Sequence, residues 1–245
     1  MKQNKSDAFI ALETLQKKLG YQFVNQNLLV NALTHKSYWH ENLPLNSPLH
    51  YERLEFLGDA LLGFIVAEIL YETLPEESEG VYSKMRCAIV NEERLFETAS
   101  CVDLENFIFI GNGITREQLK INKNILSSTL ESILAAIYLD SKDIAVVKKC
   151  VLQLLAELES QKNIKLIDPA ILMSSDPKST LQSCVLLNLK SYPYIKLSGN
   201  GPFVVEVSIR GVALGSLEGE SKKNTEKKLA QTILNSNLIS EIGLC

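Results

Sequence analysis

The chain has 245 residues, 46% of them hydrophobic and 22% charged, with a formal net charge of −4. That length allows one or two domains with buried cores, and the composition is that of a globular protein, which excludes disordered and fibrous classes. No apolar run approaches the ~20 residues of a membrane helix, the opening MKQNKSDAFIALETL has no signal-peptide core, and five scattered cysteines without a CxxC pair argue for free thiols in a reducing, cytoplasmic setting.

Residues 1–160 read as helical throughout. Apolar residues recur at three and four spacing over Ala11–Leu19, Leu28–Leu33, Leu54–Leu74, Tyr82–Ala99 and Ile125–Leu139, and a further helix is expected over Ile144–Leu158. Gly20, Pro44, Pro48, Pro75 and Gly111 punctuate them. His35, His40 and His50 fall in or beside an expected loop, where a three-histidine metal site is one reading and ordinary loop residues the other.

Within this region the stretch Tyr51–Phe64, YERLEFLGDALLGF, is the most informative. On a helix Glu55 and Asp59 lie one turn apart on the same face, and Glu52 extends the row. Leu54, Phe56, Leu57, Leu61, Leu62, Phe64 and Ile65 leave so little polar surface that the helix is expected to be buried. Buried carboxylates repel one another unless a cation lies between them, and magnesium, a hard cation with oxygen ligands, would meet that need. The alternative is a solvated acidic face, the commoner fate of such rows. Gly58 costs about 0.5–1 kcal/mol relative to Ala in a helix interior, so something is expected to approach the backbone there, either a neighbouring helix or a substrate.

Residues 161–175 are polar at first, then carry Asp168–Pro169, and read as a linker. From Asp176 the pattern changes. A helical stretch, Ser179–Leu189, precedes three runs rich in β-branched and aromatic residues, Tyr194–Leu197, Phe203–Arg210 and Val212–Leu217, and a last helix runs from near Ser221 to about Asn235. The order in residues 176–245 is therefore α-β-β-β-α. These residues carry eight Lys/Arg and six Asp/Glu, against a net −6 elsewhere, so the acidic total does not exclude nucleic acid. Lys222 and Lys223 at a helix N-terminus, with Lys227 one turn on, can bridge phosphates without reading bases.

The α-β-β-β-α order with SKKNTEKKLA at the mouth of the last helix resembles the double-stranded RNA-binding domain. The first part resembles the ribonuclease III family through ERLEFLGDALLGF, LTHKSY (Leu33–Tyr38), SEGVYSKMRCAIVN (Ser78–Asn91) and ILSSTLESILAAIYLD (Ile125–Asp140). The two resemblances cover essentially the whole chain. They imply an α+β protein: an all-α endonuclease domain over residues 1–160, a linker over 161–175 and a small RNA-binding domain over 176–245.

The resemblance further implies a magnesium-dependent endoribonuclease, with manganese able to substitute. It would act as a homodimer on double-stranded RNA in rRNA or mRNA processing and leave 5′-phosphate and 3′-hydroxyl ends. Glu55, Asp59 and Glu131 match metal ligands, Asp59 and Glu131 together with Glu52 match the catalytic acids, and Glu79 matches an acid at the subunit interface. Thr180 and Gln182 match minor-groove contacts, and Lys222, Lys223 and Lys227 match phosphate contacts. The chain departs from the family at Ser128, where a metal-binding Asp is usual; at Gly201-Pro202-Phe203, which lacks the usual loop His; and at Ser183, where Glu is usual. A hydroxyl is a neutral, weak ligand, so Ser128 is expected to lower metal affinity. The alternative is a weakened or inactive duplex-RNA-binding protein of the same fold.

Overall fold

The computed structural model describes residues 5–42, 50–169, 178, 181, 194–198, 202–209 and 211–236. The chain divides into two compact units, Met1–Ile167 and Asp168–Cys245. Among the described residues, the first unit is helical: α1 Lys5–Leu19, α2 Gln26–Ala32, α3 Lys36–Asn42, α4 Glu52–Thr73, α5 Glu79–Val90, α6 Glu92–Cys101, a 3-10 turn at Leu104–Asn106, α7 Arg116–Lys120, α8 Lys123–Ser141 and α9 Ile144–Lys162.

Helix α8 is the centre of this unit. Every residue from Ile125 to Ile137 is buried except Glu131. Small residues (Ser127, Ser128, Ser132, Ala135, Ala136) let α2, α4, α6 and α9 pack around it. Asn122 starts the helix by accepting from the Ile125 N–H, and its far end is tied down by Asp140, which accepts from Tyr21 Oη at 2.8 Å and from the Val24 and Asn25 N–H groups.

Helix α4 is not the buried helix its composition suggests. It buries Gly58, Leu62, Ile65, Val66, Ile69 and Leu70, but leaves Phe56 83%, Phe64 54% and Tyr71 73% exposed. Hydropathy reports the total apolar content and not whether a second partner covers the far side. The close approach expected at Gly58 is made by α8. A Cβ on Gly58 would stand 1.9 Å from the Glu131 carbonyl oxygen, so the two helices meet there backbone to backbone.

Two further expectations need correction, and one element lies outside them. The single helix over Tyr82–Ala99 is two, because Asn91 is extended (φ −73, ψ 159) and caps α6 by accepting from the Arg94 N–H. The loop around the histidines contains α3, which takes in His40. Helix α7 went unforeseen because its apolar period is too short to register, although Thr115 and Gln118 form a capping box.

In the second unit, β1 Tyr194–Ser198, β2 Phe203–Ile209 and β3 Val212–Gly219 form an antiparallel sheet in that order. Register pairs Tyr194 with Ser208 and Phe203 with Gly219, with a shift at Val207/Ser208. Helix α10, Lys222–Leu234, packs Leu229, Ala230, Ile233 and Leu234 against Val205, Val207, Ile209 and Leu214. The strands and last helix follow the expected spans closely. The helix expected over Ser179–Leu189 lies outside the described residues apart from Leu181, which is buried in the same core. A Cβ on Gly219 would meet Thr225 Oγ1 at 2.3 Å, so the end of β3 lies directly against the first turns of α10.

Gly58→Ala is expected to destabilise the protein by at least ~1–3 kcal/mol, since the new methyl meets backbone, which cannot rotate away. Gly113→Ala, whose Cβ would meet nothing within 4 Å, is expected to stay within about 1 kcal/mol of the parent. Denaturant unfolding of both variants checks this, and equal midpoints would show that α4 and α8 are not in backbone contact.

Candidate active site

The crossing of α4 and α8 gathers most of the acids singled out above. Glu55 and Asp59 flank Gly58 on α4, and Glu131 projects from α8 at the point of backbone contact. One turn toward the N-terminus on both helices, Ser128 Oγ donates to Glu55 Oε1 at 2.8 Å. Ser128 is buried, Glu55 and Glu131 are half-buried, and Asp59 is exposed. The row of fully buried acids expected on α4 is thus incorrect: the acids line an edge open to solvent, and the most enclosed of them is on α8.

Electrostatics shows which of these groups share a space. The Glu131 carboxyl is pushed up to about 7, first by burial, then by the negative charges of Asp59 and Glu55. No ion pair to Glu55, Asp59 or Glu131 occurs among the described residues. Glu52 and Glu55 have a structural reason to be where they are, since acids in the first turn of α4 complement the helix dipole. Asp59 and Glu131 have none.

Glu52 is exposed and faces another set of partners, Lys36 Nζ at 3.2 Å and His50 Nδ1 at 3.7 Å. Tyr51, directly before α4, is buried; its backbone N–H donates to Thr34 O, and its phenol is raised by burial and then by Glu55 and Glu52. His35 bonds Ser37 through Nδ1 at 2.8 Å, and burial, then Lys36, hold it below the usual imidazole range. His35 is thus buried against Ser37, His50 contacts Glu52 and His40 is exposed beside Trp39, so the three form no metal site among the described residues.

The donor set suits a hard divalent cation: carboxylate oxygens from two helices, like charges uncompensated, one of them driven toward neutrality. The arrangement is open, however. Among the described residues no three acidic, histidine or cysteine side chains are drawn together closely enough to hold a metal as they stand. The residues fit such a group by chemistry and proximity, without a preformed cage.

Elsewhere, Glu79 is exposed in the first turn of α5, beside a small cleft it shares with Ala67, Tyr82, Ser83 and Arg86. Lys222, Lys223 and Lys227 are exposed at the start of α10 and make no ion pair among the described residues, whereas the neighbouring Glu226 pairs with Lys178 at 2.8 Å. Thr180 and Gln182 lie outside the described residues. Two features escaped the sequence reading. Lys36, inside the LTHKSY motif, pairs with Glu52, and Ser128 bonds Glu55; the motif and the three-residue spacing to Glu131 were the available signals.

Comparison with known proteins gives concordant matches. A family model described as ribonuclease-III-like matches residues 25–158. The chain is 36% identical over 227 residues to Ribonuclease 3 of Aliarcobacter butzleri, covering 90% of this chain and 95% of that one. It is 34% identical over 236 residues to Ribonuclease 3 of Pseudothermotoga lettingae, covering 93% and 96%. Among solved structures, the nuclease domain of ribonuclease III from Campylobacter jejuni matches with a TM-score of 0.54 at 36% identity, covering 62% of this chain and 99% of that one.

A carboxyl that holds its proton more tightly folded than unfolded destabilises the fold as pH rises. For Glu131 the penalty develops between its ordinary 4.5 and about 7. With divalent metal chelated, Glu131→Gln is therefore expected to raise the melting temperature at pH 8 by a few degrees, on the order of 1 kcal/mol after solvent screening. The gain should vanish near pH 4. An equal or lower melting temperature at pH 8 would mean that neither burial nor the neighbouring acids burden the ionised Glu131.

Proposed function

The chain belongs to the ribonuclease III family and is an endoribonuclease acting on RNA, and we propose that it hydrolyses double-stranded RNA at the α4–α8 crossing with a divalent metal ion. The observation that carries this reading is the gathering of Glu55, Asp59 and Glu131 at the backbone contact of α4 and α8, where burial and the two neighbouring acids push the Glu131 carboxyl up to about 7 and no side-chain cation pairs with the three among the described residues. A site that keeps mutually repelling acids has a use for a cation.

Glu55, Asp59 and Glu131 would hold the metal, magnesium by preference with manganese able to substitute. Held by these acids, a metal would supply Lewis acidity: a lowered pKa for a coordinated water and charge stabilisation on the leaving oxygen of a phosphodiester. Glu52, paired with Lys36 in the first turn of α4, supports the catalytic acids and faces the RNA strand. The products are a 5′-phosphate and a 3′-hydroxyl. No side-chain nucleophile takes part.

The endonuclease domain expected over residues 1–160 runs on through the end of α9 at Lys162, the linker follows to residue 175, and residues 176–245 form the RNA-binding domain. In the latter, Lys222, Lys223 and Lys227 contact phosphates across a groove, Thr180 and Gln182 lie along a minor groove, and selectivity for RNA follows from A-form shape and 2′-hydroxyl contacts. Cutting both strands takes two sites, so the working unit is a twofold dimer. Its interface is the exposed apolar stripe of α4, Phe56, Ala60, Phe64 and Tyr71, with Glu79 nearby at the rim. On a 3.6-residue repeat the acidic row of α4 borders that stripe, so each site lies at the edge of the joint. Dimer formation is named for the Campylobacter jejuni nuclease domain as well. Processing of rRNA or mRNA in the cytoplasm is the role this activity serves. Ser128 favours the alternative of a weakened, duplex-binding protein, because it supplies no charge where a ligand is expected.

The direct test incubates the purified protein with a perfect RNA duplex, with and without magnesium, and reads the product ends. Asp59→Asn or Glu131→Gln is expected to abolish cleavage while duplex binding is kept; cleavage at the parental rate by either would remove the site assignment, and binding without cleavage by the parent would favour the alternative. Separately, neutralising Lys222, Lys223 and Lys227 together should weaken binding to all duplexes alike. The salt dependence, measured as log K against log salt, should become shallower by about 1 for each lysine that had neutralised a phosphate.

A further inference from the structure

We infer that Ser128 is a positioning residue, holding Glu55 through its hydroxyl where a ligand would otherwise stand; this rests on the proposed metal site at the α4–α8 crossing. Four hydroxyl residues, Ser127, Ser128, Thr129 and Ser132, are buried along α8. Three bond backbone carbonyls: Ser127 to Asn124 O at 3.0 Å, Thr129 to Ile125 O at 2.7 Å, and Ser132 to both Ala32 O and Thr129 O at 2.7 Å. Bonding a carbonyl three or four residues back is how a helical Ser or Thr is usually satisfied.

Ser128 does otherwise. It is 4% exposed, and its hydroxyl crosses to α4 and donates to Glu55 Oε1. A hydrogen bond to a carboxylate is roughly twice as strong as a neutral one. It pins one oxygen of a long, rotatable side chain, while Oε2 makes no hydrogen bond among the described residues. Glu55 is thereby set in place before any metal arrives, which is how outer-shell groups orient ligands.

An acid at position 128 would face Glu55 across the same short gap and add a fourth like charge to the crossing. Serine removes that repulsion from the metal-free protein and trades an anionic ligand for a fixed one. The chain thus builds its site from three acids and one orienting hydroxyl.

The test is calorimetric titration of magnesium, and separately of manganese, into the full chain. The half-saturating metal concentration for duplex cleavage is the second readout. Ser128→Ala, a change small enough to leave the core intact, is expected to weaken metal binding about tenfold and to raise half-saturating magnesium by a similar factor, with kcat at saturation falling less. Ser128→Asp should lower the melting temperature in chelator and recover it with magnesium more steeply than the parent. Metal titration of Ser128→Ala identical to the parent, with cleavage intact, overturns the inference alone. A drop in saturated rate without a change in affinity overturns it too, because Ser128 would then act in the chemistry itself. Failure of the parent to cleave overturns the nuclease reading while the calorimetry still judges Ser128, and failure of the parent to bind either metal overturns both.

Discussion

Helices α4 and α8 meet at Gly58 and Glu131 with no side chain between them, and the geometry of the site follows from that contact. Two helices ordinarily keep 8–10 Å between axes because side chains separate them. Removing the side chain on one helix brings the other's backbone within van der Waals reach. Groups within one turn of the crossing then have little freedom to move apart: Glu55 and Asp59 on one helix, Ser128 and Glu131 on the other. The conformational liability of Gly in a helix interior is offset by the proximity it allows.

That proximity sets stability against chemistry. Burial pushes the Glu131 carboxyl up, and the charges of Asp59 and Glu55 push it further. The fold tolerates this because the surrounding core is extensive: α8 buries apolar side chains such as Leu126, Leu130, Ile133, Leu134 and Ile137 against several helices at once. Destabilised acids on an over-determined scaffold are a common arrangement at sites that bind cations or polarise water. The second unit solves a different problem with simpler means. Lys222, Lys223 and Lys227 stand in solvent near a helix start, where backbone N–H groups already favour anions, and its small core need only hold the helix to the sheet.

The sequence was legible where periodicity was long or chemistry was distinctive. The spans of α8, α9, the strands and α10 follow from apolar spacing, Glu55 and Asp59 follow from their spacing in YERLEFLGDALLGF, and Glu131 comes only from the resemblance of LESILAAIYLD to the family. Gly58 was flagged as a point of close approach, and the structure identifies what approaches. What failed was the inference from composition to burial. The mean hydropathy of α4 pointed to an interior helix, yet Phe56, Phe64 and Tyr71 face outward, while the true interior helix carries serines and alanines. Short capped elements such as α3 and α7 were also missed, because few residues give little period to detect. The Ser128–Glu55 bond is only half legible: the three-residue spacing puts Ser128 on the face of Glu131, but does not identify its partner on α4. It joins residues far apart in the chain, and spacing along one helix says nothing about which side chain lies opposite.

Helix α8 also limits how this protein can be altered. Between Ile125 and Ile137 nearly every side chain is enclosed, and the hydroxyls other than that of Ser128 are committed to the helix backbone or, through Ser132, to the end of α2. Enlarging any of them displaces a neighbouring helix. Two positions, Ser128 and Glu131, differ in that their polar atoms serve the crossing with α4 and not the helix's own backbone. A designer who wished to retune the reactivity of this scaffold while keeping its shape has, on this helix, a vocabulary of two letters.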